Sequence, residues 1–263
     1  MMSPISVLLG TLRYEFRMQI RRPAVWITLL LIGLLCINVI FRNSQSTTYL
    51  TSIAKTMPLP TFVATWTLMI NRFLPIGAGV LLADRLVRDR RTRVDELFTS
   101  MPGPLSARLA GKYLGSMLAT LIPILLVYAI GIGYLIYLTG NFMALPLACV
   151  TFATIALPGI LFITAFSLAC PTIMWVPLYQ FCFVGYWFWG NMLSPFQGIP
   201  TLSTTILTPI GGYMASGFFD MNESLIRQAS VWEGVESTLL LIGIAILVMC
   251  ALWGILKWQW SRQ

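Results

Sequence analysis

Residues 82–112 read LADRLVRDRRTRVDELFTSMPGPLSARLAGK, and the fold turns on them. The 263-residue chain carries 17 Lys or Arg and 9 Asp or Glu, and nine of these charges fall between Asp84 and Glu96. The remainder is therefore almost free of charge. Hydrophobic residues make up 57% and charged residues 10%, with a mean hydropathy of +0.81, against roughly 25% charged residues in an average soluble domain. This is the composition of an integral membrane protein.

Working outward from the block, six apolar runs are long enough to cross a hydrocarbon core, which takes about 20 helical residues. They cover approximately 24–41, 60–83, 113–138, 146–169, 174–193 and 237–256. The expected fold is an all-α polytopic membrane protein with six transmembrane helices, forming one transmembrane domain over 1–263. With the N-terminus inside, the inner segments are 1–23, 84–112, 170–173 and 257–263. These hold 13 Lys or Arg, against three outside (Arg42, Lys55, Arg227) and Arg72 within a span. Positive residues favour the cytoplasmic side, so both termini and the charged block are expected in the cytoplasm, with the chain multi-pass in the cell membrane. The first run is not expected to be a cleaved signal: Arg13, Glu15, Arg17, Arg21 and Arg22 precede it and no small-residue cleavage site follows. Trp258 and Trp260 beside Lys257 and Arg262 form an aromatic and basic anchor.

Ahead of the first run, SPISVLLGTLRYEFRMQIRRP (3–23) places Leu8, Leu9, Leu12, Phe16 and Ile20 at helical spacing among charges. An amphipathic helix in the interface plane, ended by Pro23, is expected there. Inside the block, 84–93 extend the second span as a charged helix, and Val94, Leu97, Phe98 and Met101 then form an i, i+3, i+4, i+7 stripe. MPGP follows and stops the helix, since Pro102 and Pro104 lack donors. Ser106 is the expected N-cap of the helix that re-enters the membrane. Arginines alone would set topology; an apolar stripe with Asp95 and Glu96 adds a docking face for a cytoplasmic partner.

The run DRRTRVDELFTSMPGPLSARLAGKYL (89–114) resembles the cytoplasmic loop of type-2 ATP-binding cassette (ABC) transporter permeases. The matching residues are Glu96, Leu97 with Phe98, Ser100 with Pro102, Ser106 with Arg108, and Gly111 with Lys112. Many relatives carry a glycine shortly before the acidic residue, where this chain has RTRVDE. Six spans, an interfacial helix before the first and a long apolar outer loop before the last extend the resemblance over the whole chain. The resemblance implies that the loop is a coupling helix seated in a groove of a separate ATPase. Val94, Leu97, Phe98, Met101 and Pro102 would meet the groove, and Arg91, Arg93, Asp95 and Glu96 its rim. It implies a second permease copy or a paralogue as partner, and export as the direction. No G-x-x-x-x-G-K-[ST] occurs in the chain, so ATP and Mg are expected on the partner ATPase and no cofactor on this chain.

Within the spans, TLMINRFLPIGAG (67–79) places Arg72 about 18 Å from the inner end, near the bilayer middle. A charge there costs at least about 2.5 kcal/mol. Two readings stand: Asn71 and Arg72 line a substrate pathway, or Arg72 is paired structurally. MWVPLYQFCFVGYWFWGNM (174–192) crowds aromatics toward its outer end, as an interfacial belt or as a stacking surface in which Phe183, Tyr186 and Trp187 meet an amphipathic substrate. Residues 194–236 are too apolar for an exposed loop. Pro200, Pro209 and Gly211-Gly212 cut them into pieces too short to span, so two short re-entrant or interfacial helices are expected, the outer gate of the resembled family. Asp220, Glu223, Glu233 and Glu236 would give that face an acidic rim.

These features point to the permease subunit of an ATP-driven exporter of amphipathic or hydrophobic cargo, with a secondary transporter or channel as the alternative. An intramembrane enzyme is disfavoured: the chain contains no histidine, and no carboxylate pair lies in the spans. The five cysteines stand singly in apolar segments, without disulfide or zinc spacing. The basic residues flank apolar runs rather than a soluble fold, which excludes nucleic acid as the expected partner.

Overall fold

The computed structural model describes residues 3–43, 57–91, 103–193, 198, 200–221 and 228–260. Among the described residues the regular elements are all helical. Helix α1 (Pro4–Ile20) opens on Ser3, whose hydroxyl oxygen accepts the Ser6 N–H at 3.2 Å, satisfying one free donor of the first turn. It stops at Ile20, and α2 (Pro23–Asn43) leaves at 64° to it. Pro23 thus opens the second helix at its first position, where a missing N–H costs nothing.

Helix α3 (Leu59–Leu82) turns at Ala83 and Asp84 into the short α4 (Arg85–Arg91). The chain re-enters the described region at Gly103 and forms α5 (Leu105–Thr139). The N-cap of α5 is Pro104 rather than Ser106, which lies inside the first turn. The missing proline donor makes Pro104 a natural stop, and the helix starts at the residue after it. Gly140, at φ 65°, ends α5 in the left-handed conformation and returns its N–H to Ile136 O at 2.8 Å.

Helices α6 (Ala144–Thr151) and α7 (Leu157–Ala169) are joined without a break by a π-helical turn, Phe152–Ala156, in which Leu157 N–H reaches Phe152 O. Pro158 cannot donate to the next carbonyl, which favours the wider turn. Helices α8 (Val176–Met192), α9 (Gly212–Phe219) and α10 (Val231–Trp260) complete the order. A capping box starts α10: Ser230 N–H donates to Glu233 Oε2 at 2.7 Å, and Glu233 N–H to Ser230 Oγ at 3.3 Å.

Among the described residues, four helical stretches are long and apolar enough to cross a membrane: Leu59–Asp89, Leu105–Thr139, Ala144–Thr172 and Val231–Gln259. The bent α1–α2 pair raises the number to five. The run at 174–193 forms α8 of 17 residues, about 26 Å long.

Among the described residues, the two larger buried clusters both draw on α3, with Trp66 in one and Leu68 in the other. Leu29, Trp66, Ile70, Leu74, Ile124, Val127 and Phe152 join α2, α3, α5 and the π turn. Ile163, Phe183, Trp187, Met214 and Leu241 join α7, α8, α9 and α10. Lipid is as apolar as these side chains, so close fit rather than water exclusion must hold such helices together. Glycine provides it at α1–α5, where Ala107, Gly111, Gly115 and Ala119 recur every fourth residue. A Cβ on Gly111 would lie 2.7 Å from Leu8 O, and one on Gly115 would lie 2.7 Å from Leu12 O. Helix α1 therefore lies backbone to backbone on α5. Its inward face carries Thr11, Leu12, Glu15 and Gln19, while Ile5, Leu9 and Tyr14 are exposed.

Candidate functional site

Glu15 is 1% exposed and Arg85 is 1% exposed, and their side chains form an ion pair. Lys112 pairs with Asp89 and lies 3.6 Å from the second oxygen of Glu15. Each placement follows from local structure. Arg85 and Asp89 stand four residues apart on α4 and share a face; Lys112 follows Gly111, where α1 and α5 touch. Among the described residues, two carboxylates and two cations thus form a buried collar across α1, α4 and α5. Arg22 and Asp84 add an outer pair at 3.7 Å, with Asp84 46% exposed.

Burying four charges is tolerable only when they are paired, and removing one member of such a pair costs about 3–5 kcal/mol. Hydrogen bonding here is incomplete. Arg85 Nε and Nη1 and both polar atoms of Gln19 are buried without a partner among the described residues. Ion pairing therefore holds the collar, and the buried polar atoms left without a partner offset part of that gain.

At the middle of α3 a second polar site receives the chain between α8 and α9. The Asn71 amide donates to Ile210 O at 2.7 Å, Pro209 O at 3.0 Å and Ile155 O at 3.4 Å. A Cβ on Gly159 would lie 2.3 Å from Pro209 O, and one on Gly211 would lie 2.7 Å from Ile155 Cγ2. Gly211 also has φ +93°, which favours glycine. Tyr213 OH donates to Thr204 O at 2.6 Å, Ser237 Oγ to Ile206 O at 2.7 Å, and Thr208 Oγ1 to Asn191 Oδ1 at 3.1 Å. Irregular backbone at that depth must be satisfied by protein, and these side chains do so. Within 200–221 the described residues contain one α-helix, α9, preceded by turns.

Pro75 removes the donor for the Asn71 carbonyl. One residue on, Arg72 O accepts the indole N–H of Trp187 at 2.8 Å. The aromatic run of α8 divides accordingly. Phe183 stacks on Tyr179 with centroids 5.7 Å apart and lies 5.9 Å from the Trp187 ring, and this stripe packs onto Gly79 of α3. Phe181, Phe188 and Trp189 face outward. A third cluster links Thr67, Tyr128 and Thr151, whose hydroxyls lie 2.9–3.1 Å apart.

Of the expected pathway residues, Asn71, Phe183 and Trp187 lie inside helix packing, and Arg72 and Tyr186 are half-buried. The expected coupling residues Arg93, Val94, Asp95, Glu96, Leu97, Phe98, Met101 and Pro102 lie outside the described residues, as does the Arg91 side chain. Of the acidic rim, Asp220 accepts from Gln228 at 2.8 Å, Glu233 serves the capping box, and Glu223 lies outside the described residues. By sequence alone Glu15 and Lys112 read as flanking charges. The one available signal for the collar is an acidic residue, Glu15, among the arginines of an otherwise basic helix. No model of a known protein family matches the chain, and no curated protein matches it.

Proposed function

We infer that this chain is the membrane permease subunit of an ATP-driven exporter of the type-2 ABC class, moving an amphipathic or hydrophobic cargo. In this reading six helices cross the cell membrane, with both termini and the 84–112 segment in the cytoplasm. A separate P-loop ATPase binds ATP and Mg beneath it, and a second copy or a paralogue completes the pathway. The carrying observation is the collar. The chain leaves the described region at the end of α4 and returns just before α5, and the coupling sequence VDELF lies between. Arg85, Asp89 and Lys112 tie those two stalks through buried ion pairs to Glu15 of α1. A push on the coupling segment is thereby shared by α1, α3 and α5. The Asn71 seat, halfway along α3, receives the outer segment, so motion of α3 reaches the outer side.

The test is co-purification of the chain with a P-loop ATPase encoded by a neighbouring reading frame, comparing the native chain with Leu97→Asp plus Phe98→Asp. The expected result is loss of the complex and of stimulated ATP hydrolysis. A variant that binds and stimulates normally sinks the coupling reading. Transport by the purified chain without any ATPase would favour the secondary transporter or channel.

A further inference from the structure

A groove of about 470 Å3 runs between α5, α7 and α10. Leu109 and Ala245 form its buried floor, and Ile246 and Trp253 its exposed rim. Tyr113 lines it too, but its hydroxyl is spent on Leu161 O at 2.9 Å, so the wall is dry. On α10 the groove extends from Ile242 to Trp253, roughly 16 Å at about 1.5 Å per residue. That is close to the depth of one leaflet, about half of a ~30 Å hydrocarbon core.

One end carries the polar features. Ser106 and Trp253 line it, and Lys257 Nζ stands 5.2 Å from the centre of the Trp253 ring. The same end is where Leu109 packs with Leu252 and Leu256, one turn from Lys257. An apolar trough one leaflet deep thus ends at an ammonium held over an indole, the pairing that suits a membrane interface.

We propose that this groove binds one acyl chain of an anionic phospholipid, whose headgroup phosphate is held by Lys257 at the Trp253 end. The site faces the surrounding bilayer and is independent of an ATPase partner. Its floor is small enough that one enlarged side chain closes it.

The test uses the full-length purified chain, equilibrated in detergent micelles containing equal phosphatidylglycerol and phosphatidylcholine, with bound lipid counted by native mass spectrometry. The native chain is expected to retain one phosphatidylglycerol in preference to phosphatidylcholine. Ala245→Trp is expected to abolish that retention. Lys257→Gln is expected to lower the phosphatidylglycerol preference over phosphatidylcholine about fivefold, the factor for one basic residue at an anionic surface. Equal lipid retention by the native chain and Ala245→Trp overturns the proposal. So does a change from dimer to monomer in Ala245→Trp, which would make the groove a contact between copies. Where Ala245→Trp does not yield monodisperse protein, Lys257→Gln decides: an unchanged preference overturns the proposal, and the fivefold fall supports it.

Discussion

The side-chain amide of Asn71 donates to the backbone carbonyl of Ile210 at 2.7 Å, joining positions 139 residues apart. The same amide serves Pro209 O at 3.0 Å, so one side chain ties the segment between α8 and α9 to the middle of α3. Asn71→Leu strands these carbonyls in an apolar interior, at about 1–3 kcal/mol for each group left unpaired. The expected outcome is a lowered melting temperature and faster proteolysis within 200–221. Asn71→Asp keeps the size but turns an acceptor toward acceptors, so it is expected to destabilise at least as much.

The collar and the outer pair separate by magnitude. Glu15→Gln is expected to cost about 3–5 kcal/mol, because it leaves buried cations uncompensated. Asp84→Asn, breaking a pair whose acid is 46% exposed, is expected to cost no more than about 1 kcal/mol. Denaturation of each variant in detergent measures both. Salt distinguishes them as well: raising NaCl to about 0.5 M should shrink the Asp84 effect and leave the Glu15 effect in place.

Gly115 sets the distance between α1 and α5. A larger residue there must push Leu12 O away, since even a Cβ would approach it to 2.7 Å. Gly115→Ile is expected to abolish amide-exchange protection over residues 4–20. A Cβ on Gly133, in the same helix, would meet nothing within 4 Å, so Gly133→Ile should leave that protection unchanged.

Trp187→Phe removes the indole donor from Arg72 O and is expected to cost about 1 kcal/mol. Arg72→Leu leaves that bond intact, because the carbonyl that accepts it belongs to the backbone. The two variants therefore separate scaffold from side chain. Under the exporter reading, Arg72→Leu lowers transport in vesicles while the complex with its ATPase still assembles, and unchanged transport would assign Arg72 a structural role.

Hydropathy makes the long helices legible, because an apolar run of that length has few other folded states. Their ends are less legible. Helix α5 begins at Leu105, eight residues before the apolar run at 113–138, and its added first turns bring Gly111 against Leu8 of α1. The glycines at 111 and 115 are visible, but their partner is not, since nothing local in α1 states which helix it meets. The collar joins residues 15, 85, 89 and 112, and such pairings exist only after the helices have packed. Asn71 stands out in the sequence for its depth; that it holds backbone carbonyls depends on where 209–210 return, which Pro209 and Gly211 permit without specifying.

The close seat of α1 on Gly111 and Gly115 also orders events in time. Helix α1 is synthesised first, yet the surface that receives it is finished only near Ala119. At about 5–20 residues per second, that interval is roughly 5–20 s. Until α5 emerges, Glu15 has no Lys112 beside it and the face of α1 that meets Gly111 and Gly115 has no partner. Docking of α1 thus waits for α5, and chains halted before residue 105 should leave the N-terminal helix open to protease.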